Sequence, residues 1–184
     1  MPILPFEPDC YPEDLIDQAE SADSPWWLLY TRSRQEKTVM RKLRELQVPH
    51  YAPLIMQRFR SPNGRLRESY VPLFSTYVFL RGDEHAKYQA ICTGSILKAS
   101  EILQVDHLLE DLKQIRSLIE MGVPLTLESR IEPGEEVRVK NGTFKGYEGT
   151  VIRREGESRL LVAVRFMEQG VSVKLEDCQL EVIG

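Results

Sequence analysis

Residues 71–81 show the clearest alternation in the chain: Thr76, Val78 and Leu80 interleave with Tyr77, Phe79 and Arg81. That is the period-2 pattern of a strand with one face on a core. If Thr76, Val78 and Leu80 fill the core, Tyr77 and Phe79 lie side by side outside, an aromatic surface suited to docking another protein. If the faces are reversed, both rings are core. Periodicity alone admits either assignment.

The same patterns predict elements on both sides of this stretch. Residues 26–32 read as a buried strand. Residues 35–47 read as a helix, with Val39, Leu43 and Leu46 spaced i, i+4, i+7, Met40 widening the stripe and Lys37, Arg41, Lys42 and Arg44 opposite. Val48-Pro49 ends it, because a residue before proline disfavours helical dihedrals. Residues 50–60 and 65–73 form a hairpin around Ser61-Pro62-Asn63-Gly64 that carries Arg58, Arg60, Arg65 and Arg67. Asp83 caps a second helix running to Cys92 and ending at Gly94, and 95–99 is a further strand. Strand, helix, hairpin, strand, helix, strand is the order of an α+β sandwich. Residues 106–121 predict another amphipathic helix, striped by Leu108, Leu112, Ile115 and Ile119, and 122–131 serve as a linker.

From residue 132 the texture changes. Pro133-Gly134, Asn141-Gly142, Gly146, Gly149, Gly156 and Gly170 punctuate five short alternating runs, at 137–140, 150–153, 160–166, 171–175 and 180–183. Five short strands between turn signals predict a small closed β-barrel, since an open sheet that small would expose its edges.

Charge sharpens this outline. The net charge of −4 conceals −7 over residues 1–24, +8 over 25–100 and −5 over 101–184. A basic middle between acidic ends points to a polyanion or an acidic protein as its partner. Residues 1–24 read as a disordered or loosely docked arm with one helical turn near 12–19. A solvated tail is the default for such a terminus; the sharper alternative is an arm that covers the basic face and competes with a polyanion. A hydrophobic content of 42% and a charged content of 28% describe an ordinary globular chain of one or two domains. Apolar runs are too short to span a bilayer, and the scattered cysteines suit a reducing cytoplasm, where the protein is expected. Cys10, Cys92 and Cys178 are scattered, as are His50, His85 and His107. Neither a disulfide framework nor a metal centre is expected, and the histidines should be surface or partly buried.

Trp26-Trp-Leu-Leu-Tyr30, the basic helix, residues 74–79 and Gly134-Glu-Glu-Val-Arg-Val-Lys-Asn-Gly-Thr-Phe-Lys-Gly-Tyr-Glu-Gly149 together resemble the NusG family of transcription elongation factors. The resemblance covers about residues 25–184. It implies a ferredoxin-like N-terminal (NGN) domain over 25–121 and an SH3-like KOW barrel over 132–184. The first domain looks closest to the RfaH-like specialised paralogues, since general factors usually carry Phe-Pro-Gly-Tyr where this chain has Phe74-Ser-Thr-Tyr77. Several roles follow from the resemblance. Tyr30, Phe74, Tyr77 and Phe79 would bind the clamp helices of the largest RNA polymerase subunit, so that the clamp opens less readily and pausing or termination is suppressed. Arg32, Arg34, Lys37 and Arg41 would face upstream DNA or the displaced non-template strand. Phe144, Phe166 and Met167 would meet a second partner, either a small-subunit ribosomal protein or Rho. Phe166 also continues the Val162–Val164 alternation and could equally be core. A monomer without cofactors is implied.

Two departures matter. RfaH-like proteins read a DNA element partly through an arginine before a glycine, and this chain has Thr93 before Gly94. They have also lost the KOW pattern, whose glycines and β-branched residues are intact here; a permanent barrel is therefore expected. Enzyme classes lack their motifs: there is no phosphate loop, nucleophile elbow or His-Glu-x-x-His. Glu135-Glu136 and Glu176-Asp177 are adjacent acids that point to opposite strand faces. The competing readings are a general NusG factor and, from another class, a ribosome-associated RNA-binding KOW protein.

Overall fold

Trp27, Leu29, Val78 and Leu80 meet Val39, Met40, Leu43 and Ala90 in one buried cluster, the core of a sheet with helices on one face. The computed structural model describes residues 6–18, 24–130 and 134–184. Its first elements are β1 (Cys10–Tyr11), α1 (Leu15–Gln18), β2 (Trp26–Thr31), α2 (Glu36–Glu45), β3 (His50–Tyr51), β4 (Leu54–Arg60) and β5 (Leu66–Pro72). Next come β6 (Tyr77–Arg81), α3 (Glu84–Cys92), β7 (Ile96–Ile102) and α4 (Val105–Glu120). The tail contains β8 (Thr126–Glu128), β9 (Glu135–Val139), β10 (Glu148–Arg154), β11 (Glu157–Val164), β12 (Gln169–Lys174) and β13 (Leu180–Val182). The chain divides into two units, Met1–Asp106 and His107–Gly184. No helix among the described residues is long and apolar enough to cross a membrane.

In the first unit an antiparallel sheet runs β1-β3-β6-β2-β7. The face carrying Trp27, Leu29, Val78 and Leu80 is covered by α2 and α3. Helix α2 ends as its sequence requires: the N–H of Leu46 bonds back to Lys42, Gln47 takes a positive φ, and Val48 N–H closes on Leu43 O at 2.9 Å. Asp83 accepts from Ala86 N–H and caps α3. The expected hairpin is present but breaks after Tyr51, so β4 and β5 form a separate two-stranded ribbon.

Several expectations are corrected here. Residues 6–18 are docked, not a solvated tail: β1 pairs with β3, Leu15 and Ile16 are buried, and α1 packs against β1 and β3. The helix covers 15–18; residues 12–14 lead into it as a turn, and position 19 of the expected stretch lies outside the described residues. His50, expected at the surface or partly buried, is fully buried. The segment read as a linker contains β8, whose Glu128 is buried and accepts from Ser172 Oγ at 2.7 Å and Arg154 Nη2 at 3.0 Å. Helix α4, assigned by pattern to the first domain, groups almost entirely with the second unit.

In the second unit the sheet has six strands, not five, in the order β13-β9-β10-β11-β12-β8. Gly149 lies where a side chain would collide with the backbone carbonyl of Leu161, which is why β10 can press onto β11. Gly146, at φ +89, turns the loop before it. Asp111 of α4 is buried and takes Arg165 N–H at 3.0 Å and Arg165 Nη2 at 2.8 Å. Gln114 Oε1 accepts from Glu148 N–H at 3.0 Å.

Candidate functional site

The sheet face away from α2 and α3 is sealed at one end and open at the other. Along this face Trp26, Leu28 and Tyr30 stand beside Phe79 and Tyr77 of β6 and beside Ile102, Ser100 and Lys98 of β7. Trp26, Phe79 and Ile102 are buried, as is Tyr51 opposite Phe79. At the open end Tyr30 is 39% exposed. It is paired across the ladder with Tyr77, ring centroids 5.5 Å apart and planes tilted by 51°.

This divides the four expected docking rings. Val78 and Leu80 do face the helices, and Tyr77 and Phe79 take the other face, but Phe79 is 0% exposed and Phe74 only 2%. Both are core. The pattern could not disclose this, because what seals Phe79 comes from distant parts of the chain. Tyr30 and Tyr77 are the pair left available.

Tyr77 is held by a clamped loop. Tyr77 N–H bonds to Phe74 O at 3.3 Å and Thr31 N–H to Thr76 O at 2.8 Å. Glu36, at the start of α2 and only 5% exposed, accepts from Thr76 N–H at 2.6 Å. Thr76 itself sits at φ +70, a left-handed conformation costly for a β-branched residue. No sequence signal marked Glu36 for this role.

The four basic candidates also divide. Arg32 and Arg34 are exposed in the turn between β2 and α2, with no acidic partner among the described residues. Lys37 is the second residue of α2. Arg41 is already engaged: its Nε reaches Glu7 Oε2 at 2.8 Å and its Nη2 reaches Glu7 Oε1 at 2.5 Å. Arg44 Nη2 donates to Pro8 O at 2.7 Å. The bond from Arg41 holds the Glu7 carboxyl below its ordinary range against the cost of burial, and Lys37 and Arg44 pull the same way. Glu7 raises Arg41 in return. The arm thus places a carboxylate among three cations. Its run of acids was visible in the sequence; its register on α2 was not.

In the second unit the meander brings the β9–β10 and β11–β12 connections to the same end of the sheet. Phe144, in the first, is half-buried and edge-on to Tyr147 at 6.2 Å. Phe166, in the second, is 44% exposed, because the chain leaves β11 at Val164 and turns through a 3-10 segment, Arg165–Met167. Met167 beside it is half-buried. Arg165 and Glu148, the residues α4 binds, belong to these same two connections or their edges. A cleft of about 440 Å³ between α4 and the sheet is lined by Asp111, Gln114, Glu148 and Arg165. Asp111 is taken up by Arg165 and Glu148 by Arg138.

The profile of a family described as "Transcription termination factor nusG" matches residues 24–130, more than half of the chain. The chain belongs to the NusG family. A KOW motif matches residues 133–164, so both parts of the NusG arrangement are present in family order. NusG proteins are transcription factors that bind RNA polymerase. No curated protein matches the chain. Among solved structures, a chain of "Crystal Structure of MjSpt4:Spt5 complex conformation B" is similar at 16% identity, covering 86% of this chain and 97% of that one, with a TM-score of 0.25.

Proposed function

We propose that this NusG-family chain is an elongation and antitermination factor that docks on the polymerase clamp helices through Tyr30 and Tyr77. The observation that carries the reading is the tyrosine pair at the open end of a face otherwise sealed. Two rings on a rigid ladder cost little entropy to present and suit an apolar helix face. Phe74 and Phe79 support the pair from below. By binding the closed clamp better than the open one, the factor shifts the clamp equilibrium and reduces pausing.

Arg32, Arg34 and Lys37 then face upstream or non-template DNA, through phosphate contacts that position without reading sequence. The order β7-β2-β6-β3 supports taking the first unit as the family's ferredoxin-like domain, and the KOW match supports taking the second as its barrel. Phe144, Phe166 and Met167 supply that barrel's contact with a ribosomal protein or Rho. The loop Phe74-Ser-Thr-Tyr77 favours a specialised paralogue over a general factor.

The test is retention of core RNA polymerase by the tagged full chain. Tyr77→Ala should weaken retention about tenfold or more, the loss expected of a hot-spot ring, with the circular dichroism spectrum unchanged. Retention undiminished from the parent chain in both Tyr77→Ala and Tyr30→Ala/Tyr77→Ala would overturn the docking assignment.

A further inference from the structure

The β4–β5 ribbon stands outside both main sheets and is not used by the function proposed above. Its base is anchored by buried Leu54 and Leu73, with Leu73 N–H on Pro53 O at 2.7 Å. Beyond Ile55 it is largely open to solvent: Met56, Phe59 and Leu66 are 46%, 45% and 63% exposed.

The register sorts the ribbon into two unlike faces. One carries Met56, Tyr70, Arg58, Glu68, Arg60 and Leu66. On it Arg58 is neutralised by Glu68, Nε to Oε1 at 2.8 Å. The other carries Gln57 opposite Ser69 and Phe59 opposite Arg67. Arg65 precedes β5 by one residue and continues its alternation onto this second face; Ser61 N–H bonds to Arg65 O at 2.9 Å to close the turn. The second face has no carboxylate, and neither Arg65 nor Arg67 has an acidic partner among the described residues.

We propose that this second face binds single-stranded RNA. An exposed aromatic flanked by two unpaired guanidinium groups is the pairing that unpaired bases and their phosphates require: the ring stacks on a base while arginines hold the backbone. Duplexes hide the base faces that Phe59 would stack on. Gln57 and Ser69, one step down the same face, supply an amide and a hydroxyl able to bond a ribose 2′-OH, the group that separates RNA from DNA. The site is separate from the tyrosine pair and from Arg32, Arg34 and Lys37, so it does not depend on the polymerase assignment.

Fluorescence anisotropy with the full chain tests this, using a labelled unstructured 12-nucleotide RNA, the same sequence as single-stranded DNA, and a DNA duplex. RNA should bind tighter than the same sequence as single-stranded DNA. Phe59→Ala should weaken RNA binding about tenfold, within the range for one stacked base. Arg65→Ser/Arg67→Ser should lower the slope of log affinity on log salt by about 1.4, two single-strand phosphates' worth. Gln57→Ala/Ser69→Ala should erase the preference for RNA over DNA. Arg34→Ala/Lys37→Ala should weaken duplex binding, so a failure of the DNA reading is seen separately. The proposal is overturned if Phe59→Ala binds RNA within twofold of the parent, if Phe59→Ala weakens duplex DNA as much as RNA, if single-stranded DNA binds as tightly as RNA, or if the ribbon variants change only polymerase retention. Phe59 is half in solvent, so its truncation leaves no core cavity to confuse the result.

Discussion

Thr76 is where the first unit stores strain. A β-branched residue at φ +70 is tolerated because Glu36, Thr31 and Phe74 fix the loop on three sides. Thr76→Gly should therefore stabilise the protein by about 1 kcal/mol, the relieved left-handed cost outweighing the entropy a glycine adds to the unfolded chain. Urea denaturation measures this, and an unchanged or lower midpoint would mean the threonine is not strained. His50 makes a second prediction at this scale. Its Nδ1 meets Val48 O at 2.8 Å, its ring stacks on Tyr11, and burial, with Arg44 nearby, pushes its pKa down to about 4. Between about pH 6.5 and 4 the unfolded chain then takes a proton that the folded chain refuses. His50's contribution is complete above pH 6.5 and lost as pH falls towards 4, at up to about 1.4 kcal/mol per pH unit. Stability measured at intervals across that window should show the slope, and His50→Asn, which keeps a donor towards Val48, should flatten it.

Among elements, the arm and α2 act on each other. Glu7 is bonded to Arg41 and within reach of the fields of Lys37 and Arg44. Glu7→Gln should cost under about 1 kcal/mol of stability, since Arg41 is 41% exposed. It should raise duplex DNA affinity several-fold at low salt and steepen its salt dependence by freeing a phosphate-binding charge. Anisotropy titrations at two salt concentrations read both changes, and unaltered affinity would leave Glu7 as a structural partner only. The second unit has a counterpart in α4. Asp111→Ala removes a buried carboxylate that holds Arg165 by both backbone and guanidinium. A loss of about 2 kcal/mol is expected in chemical denaturation of the full chain, between a charged hydrogen bond and a fully buried pair.

At the scale of the whole molecule the question is where one unit stops. Pattern alone placed the boundary after α4, yet Asp111, Gln114 and Met121 reach Arg165, Glu148 and Tyr147, and β8 pairs along β12. A fragment covering 105–184 should therefore melt cooperatively and well above one covering 134–184. Equal melting temperatures would return α4 and β8 to the role of linker.

By itself the sequence determined the sidedness of each element. Val39, Met40 and Leu43 on one stripe, or Val78 and Leu80 on one strand face, need only local spacing to be read. Tertiary structure alone decided which faces meet solvent. Phe79 and Tyr77 are equivalent by period, yet one is sealed and the other half-buried; Glu7 is one acid among seven until it lands on Arg41; Thr126–Glu128 has no period and becomes a strand because β12 offers an edge and Ser172 and Arg154 meet its buried carboxylate. Periodicity is a property of a dozen neighbouring residues, whereas burial depends on segments tens of residues away that happen to arrive.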